Sequence, residues 1–193
     1  MSQENVITIV SGLPRSGTSM LMSMLEAGGI PALADGIRKA DDDNPKGYWE
    51  FERVKKIKED KAWLEDAKGK VVKMISQLLL DLPPGYQYKV VFVRRNIGEI
   101  LASQKKMLIR RGTFKEGGVS DDDMGAMLLK HVDQVLKATA GKEEIDLIEI
   151  DYNAILKGGA ESCVARINEF LGGGLDTKAM LAVVDKSLYR QRK

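Results

Sequence analysis

The chain has 193 residues, 44% of them hydrophobic, and its 30 Lys and Arg against 28 Asp and Glu leave a net charge of +2. That is apolar material enough for a core, so residues 1–193 are expected to form one globular domain. The near-balanced charge gives no global reason to expect nucleic acid or a membrane surface as partner, and the single cysteine, Cys163, excludes a disulfide framework or a cysteine-rich metal cluster.

In chain order, Val6 to Val10 opens a strand over 6–11, and Met20, Leu21, Met24 and Leu25 mark a helix over 18–27. Between them runs Gly12-Leu13-Pro14-Arg15-Ser16-Gly17-Thr18-Ser19. Strand, glycine-bearing loop and helix make a phosphate cradle, because glycines free the main chain and several N–H groups converge with a helix N-terminus on one anion. The spacing is that of a Walker A loop, except that Thr18 stands where a lysine would reach a β- or γ-phosphate. With Arg15 inside the loop, the ligand is expected to carry one phosphate at this end, held by Leu13, Pro14, Arg15, Ser16, Gly17, Thr18 and Ser19. A loop kept only for structure is the bland alternative, and the strand–loop–helix context argues against it.

Further on, Asp41 to Asp43 read as a solvated acidic run, and a helix is expected over 50–67. A strand follows at 71–75, another at 89–94, and a helix at 98–111. Gly112 to Ser120 reads as a polar loop over the site, before a long helix at 121–140. A strand at 145–150 and helices at 160–171 and 176–188 complete the chain. This alternation predicts an α/β fold of three layers, a mostly parallel sheet flanked by helices as in P-loop NTPases. Ile145 to Asp151 could pass for a strand ending in a metal-binding aspartate, a reading disfavoured here. Cys163, in an apolar helical pattern with Ile167 and Phe170, is expected to be a buried, inert thiol.

Val90 to Val93 form a buried strand ending in Arg94-Arg95-Asn96. Arg95 and Ser103, eight residues apart, stand at the strand's carboxyl end and early in the next helix. Ligands of open α/β sheets bind outside the carboxyl ends of strands, so both side chains can meet one group there. Taken alone, the pair is equally an exposed cation and an ordinary helix serine. Arg94, Arg95, Lys105, Lys106, Arg110 and Arg111 crowd the same region, as an electrostatic funnel or a cationic helix face.

Pro14 to Ser19 resembles the 5′-phosphosulfate loop of sulfotransferases that use 3′-phosphoadenosine-5′-phosphosulfate (PAPS). Arg95 to Ser103 is similar to the motif with which those enzymes hold the 3′-phosphate, Ile97 standing where proline is frequent. The resemblance implies PAPS as co-substrate, no metal, and a small-molecule acceptor carrying a hydroxyl or amine. It gives Arg15 the charge developing on the leaving 5′-phosphate and Lys73 the bridging oxygen or sulfonate. Lys70 to Ile75 resembles the family segment in which lysine, threonine and a catalytic histidine stand in series. Lys73 matches the lysine, but Met74 and Ile75 occupy the other two positions. His131, the only histidine, is expected to be a structural residue of its helix rather than a base.

The general base would then be a carboxylate. Asp35 falls near the position of a glutamate used by some branches, and Asn44 to Glu50 resembles a bacterial segment that brings up Glu50; helix N-terminal roles are the alternatives. Tyr152 onward resembles the family's late strand and helix. The final glycine-rich basic segment has no clear counterpart, and Tyr189 to Lys193 is its replacement or a frayed tail. The first strand begins within a few residues of Met1 and no run approaches membrane-spanning length, so a cytoplasmic location is expected. A homodimer is one option for assembly. Two other functions stay open: a catalytically silent nucleotide-binding protein, and a small P-loop kinase or NTPase using ATP and magnesium.

Overall fold

The computed structural model describes residues 5–37, 49–114 and 117–185. The expectations on the acidic run and on Asn44 to Tyr48, on part of the 112–120 loop, on the last helix beyond 185 and on the basic tail therefore lie outside the described residues.

Four parallel strands, β1 (Val6–Gly12), β2 (Val71–Ile75), β3 (Gln87–Arg94) and β4 (Ile145–Asp151), form one sheet in the order β2-β1-β3-β4. The apolar run of β1 accounts for its central place. Ile7 to Gly12 are buried, as parallel strands covered on both faces require. Around the sheet lie α1 (Thr18–Ala27), α2 (Trp63–Ala67), α3 (Ile97–Arg110), α4 (Asp121–Ala140), a short α5 (Tyr152–Ala154), α6 (Ala160–Phe170) and α7 (Thr177–Ala182).

The period-2 alternation of the strands divides the interior into two cores. Ile7, Ile9, Val72, Met74, Val90 and Phe92 face Trp63, Leu64, Ile100, Val132 and Val135 from α2, α3 and α4. Val10, Val71, Val91, Val93 and Ile150 face Leu21, Met24, Leu25, Val164, Ile167 and Met180 from α1, α6 and α7, with Cys163 buried among them. Each such side chain contributes about 1.5–3 kcal/mol of burial.

The expected helix over 50–67 is instead two short pieces, a 3-10 turn at Glu52–Lys56 and α2. Val54 and Ile57 are buried, as are Trp63, Leu64 and Ala67. A continuous helix would need an apolar residue between these groups, where Asp60 and Lys61 stand. Asp60 instead accepts from Arg53 Nε and Nη2 at 2.6 and 2.9 Å and from Ala62 N at 3.2 Å, closing the turn. The expected strands and remaining helices are found where described, α7 ending at Ala182 and a π-turn with a left-handed Gly158 preceding α6. Among the described residues, no helix is long and apolar enough to cross a membrane.

Candidate functional site

β1 joins β2 on one side and β3 on the other, so the crevice at its carboxyl end is a topological switch point. The loop following β1 fills that place. Gly12 and Gly17 have φ of 150° and 105°, and Arg15 is the one non-glycine with positive φ among the described residues, at 72°. A left-handed conformation at a residue with a side chain costs ~1–2 kcal/mol, so its surroundings must hold it. A Ser16 N–H bond to the Leu13 carbonyl at 3.1 Å tightens the turn. The Leu13 side chain is buried in the core, which leaves only its main chain for a ligand, and Pro14 is exposed. Ser16 is fully buried and its Oγ has no hydrogen-bond partner. Gly17 caps α1, directing the first N–H groups of Thr18 and Ser19 towards the loop.

The two expected anion motifs meet here. Arg15 Nε donates to Ser103 Oγ at 2.9 Å, and Arg95 Nη1 donates to the Arg15 carbonyl at 3.0 Å. Arg95 also donates through Nε to Glu99 Oε2 at 2.9 Å and lies over the Tyr152 ring, 4.6 Å from its centroid. These contacts engage two of the five N–H groups a guanidinium carries. Ser103 is buried on the first turns of α3, which Asn96 caps through its side chain. Arg15 and Ser103, which the motifs alone would place on two different phosphates, therefore touch one another.

Lys73 and Glu50 form a second cluster near the carboxyl end of β2. Their Nζ and Oε1 are 3.8 Å apart, with side chains only 14% and 21% exposed. Asp35 belongs to the same neighbourhood, since its N–H donates to the Glu50 carbonyl at 3.0 Å. Its carboxylate accepts from Ile37 N at 3.0 Å and Glu52 N at 2.6 Å, which is bracing work for two chain segments. Beside them Trp49 Nε1 donates to Ser23 Oγ at 3.0 Å, tying this segment to α1.

No family model and no curated protein matches the chain. Among solved structures, the sulfotransferase domain from the curacin biosynthetic pathway aligns with a TM-score of 0.56 at 14% identity, over 95% of this chain and 79% of that one. The sulfotransferase domain from the Synechococcus PCC 7002 olefin synthase aligns with a TM-score of 0.53 at 12% identity, over 100% and 82%. The fold is sulfotransferase-like.

Within this sulfotransferase-like fold, Ile75, the residue that the sequence resemblance would set in place of a histidine, is 48% exposed at the end of β2. His131 comes from α4 and its Nε2 lies 2.9 Å from Ser76 Oγ, which is buried directly after β2. Of the crowded cations, Arg94 pairs with Glu149 at 2.9 Å and Arg95 with Glu99. Lys105, Lys106, Arg110 and Arg111 are exposed along the far half of α3 as a cationic face. Asp151 spends its Oδ1 on Asn153 N and Ala154 N, at 2.7 and 3.2 Å, a helix-cap role. A cavity of about 370 Å³ opens at the opposite end of the sheet, lined by Thr8, Gln87, Lys89 and Asp146 among others, away from every residue above.

Three residues beside the loop escaped the sequence reading as parts of the site. Glu99 had a signal, the i,i+4 spacing from Arg95 across a strand–helix junction. Tyr152 is buried among the strand side chains of its core, and its ring also lies against Gly17 and under Arg95. Asn153 had no signal, because the contact with Glu99 comes from the sheet order.

Proposed function

We propose that this chain is a PAPS-dependent sulfotransferase, moving the sulfonyl group of PAPS to a hydroxyl or amine of a small acceptor and releasing adenosine 3′,5′-bisphosphate. The observation that carries the reading is the meeting of a lysine-free phosphate loop with Arg95 and Ser103 at the switch point. The residues fit such a nucleotide. A buried hydroxyl without a partner (Ser16), main-chain N–H groups at the start of α1 and two guanidinium groups suit anions of low charge without a metal ion. PAPS supplies a sulfonyl group joined to a good leaving group, its 5′-phosphate.

Arg15 and the loop amides bear the charge that develops as the sulfur–oxygen bond to phosphate breaks, and Arg95 with Ser103 orients the nucleotide. Glu50 takes the acceptor's proton while the new oxygen– or nitrogen–sulfur bond forms, and Lys73 faces the sulfonyl oxygens. Asp35 braces the segment that carries Glu50. Aimed electrostatics of this kind is worth ~10²–10³ in turnover per donor.

Calorimetric titration with adenosine 3′,5′-bisphosphate and with ATP, each with and without magnesium, tests the nucleotide. Preference for the bisphosphate, unaffected by magnesium, is expected; preference for ATP with magnesium would mark a kinase or NTPase. Label transfer from PAPS to a panel of phenols, alcohols and amines tests catalysis. Arg15→Ala is expected to weaken binding about 10–100-fold and to slow turnover, and Ser103→Ala to weaken binding up to ~10-fold. Bisphosphate binding without transfer to any acceptor would leave a silent nucleotide-binding protein, the reading favoured by Met74 and Ile75.

A further inference from the structure

The strained phosphate loop is tied through Arg95 to a ring of hydrogen bonds that closes among Glu99, Asn153 and Asn96. The Arg15 carbonyl accepts from Arg95 Nη1, and Arg95 Nε is fixed by Glu99 Oε2. Glu99 Oε1 accepts from Asn153 Nδ2 at 2.9 Å. Asn153 Oδ1 accepts from Asn96 N at 2.9 Å, and Asn96 Oδ1 returns to Glu99 N at 3.2 Å. Glu99 is 2% exposed and Asn153 9%, so neither is placed to touch a nucleotide directly. Asp151 then fixes the Asn153 main chain, and the Tyr152 ring fills the space beside Gly17 that any side chain there would need.

From this geometry we infer that Glu99 and Asn153 are positioning residues of the phosphate site. They orient the Arg95 guanidinium so that it holds the Arg15 carbonyl and with it the loop's left-handed turn. The corner after β4 thereby becomes part of anion recognition, although it lies far along the chain from both motifs. A buried carboxylate whose oxygens serve two different donors is a specific requirement, because an amide in its place must turn one donor against another. Glu99→Gln sets its NH₂ against Arg95 or against the Asn153 amide, and Asn153→Asp sets two carboxylates face to face. The exchange Glu99→Gln/Asn153→Asp restores every pairing. The introduced glutamine's oxygen would accept from Arg95, its NH₂ would donate to the new aspartate, and that aspartate's second oxygen would accept from Asn96 N.

The inference rests on the nucleotide reading only for its affinity readout. The four proteins (wild type, two singles and the exchange) are compared at a temperature where circular dichroism shows each folded. Binding of adenosine 3′,5′-bisphosphate is titrated, and hydrogen exchange is followed in the peptide covering Leu13 to Ser19. Each single variant is expected to weaken binding roughly 10-fold or more and to speed exchange of that peptide selectively, with the exchange variant recovering most of both. Should Glu99→Gln not fold, Asn153→Ala replaces it, with the same expected losses. Singles that match wild type in both readouts, or an exchange variant no better than the singles, would overturn the inference. If the wild type itself does not bind the bisphosphate, the proposed function fails, and loop exchange alone decides the positioning role.

Discussion

Replacing Gly17 by alanine separates two costs that usually arrive together. Gly17 sits at φ 105°, and a Cβ there would fall 3.0 Å or less from the Tyr152 Cγ, Cδ2 and Cε2 atoms. Gly29 has nearly the same φ, 104°, but a Cβ there would meet nothing within 4 Å. Gly29→Ala therefore measures conformational strain alone, ~1–2 kcal/mol. Gly17→Ala adds the overlap with a ring that is 7% exposed and held under Arg95, about 1–3 kcal/mol more, for a total of roughly 2–5 kcal/mol. Urea unfolding read through tryptophan fluorescence is the assay, since Trp63 is fully buried. The melting temperature should fall by about 2–4 °C per kcal/mol for a chain of this size. A cycle with Tyr152→Ala isolates the overlap: without the ring, Gly17→Ala should cost no more than Gly29→Ala. If Gly17→Ala matched Gly29→Ala in the wild-type background, or if the Tyr152 change did not lower its cost, the reasoning on the loop's support would be wrong.

Asp60 offers a pH test. The Arg53 guanidinium, helped by the Ala62 N–H, holds its carboxyl below the usual carboxylate range. Its stabilising effect should be complete above the ordinary aspartate pKa and fade only as pH falls through the lower folded value. The stability gap between wild type and Asp60→Asn, measured by urea unfolding, should therefore be constant near neutrality and close in acid. Cys163 is buried and burial pushes its thiol up. It should react with a disulfide reagent at pH 8 at least ~10-fold more slowly in the folded protein than in urea, and equal rates would contradict its place in the core.

The strand–loop–helix unit and the parallel sheet were legible because they rest on local signals: glycine spacing at Gly12 and Gly17, a mostly apolar β1 interrupted only by Thr8 before Ser11, and the run Val90 to Val93 in β3. The segment between Trp49 and Ala67 was not. Its glutamates and lysines look helical by propensity, yet the burial pattern breaks at Asp60, whose fork with Arg53 replaces a helical turn. The ring through Glu99 and Asn153 was equally hidden, since it exists only once β4 lies beside β3. Asp35 and Glu50 could be singled out as carboxylates of one region. Only the packed structure separates a brace between chain segments from a partner of Lys73.

No strand of this sheet meets its neighbour through a hairpin. The central strand β1, first to be synthesised, has no partner until Val71–Ile75 and Gln87–Arg94 follow it. Such long-range pairing is slow, and its loop-closure entropy is lost before any contact rewards it. During synthesis β1 must therefore wait, mostly apolar and unpaired, until the strands that flank it have emerged. An arrest series on the ribosome should find the segment from β1 through α1 protease-sensitive until β3 has cleared the exit tunnel.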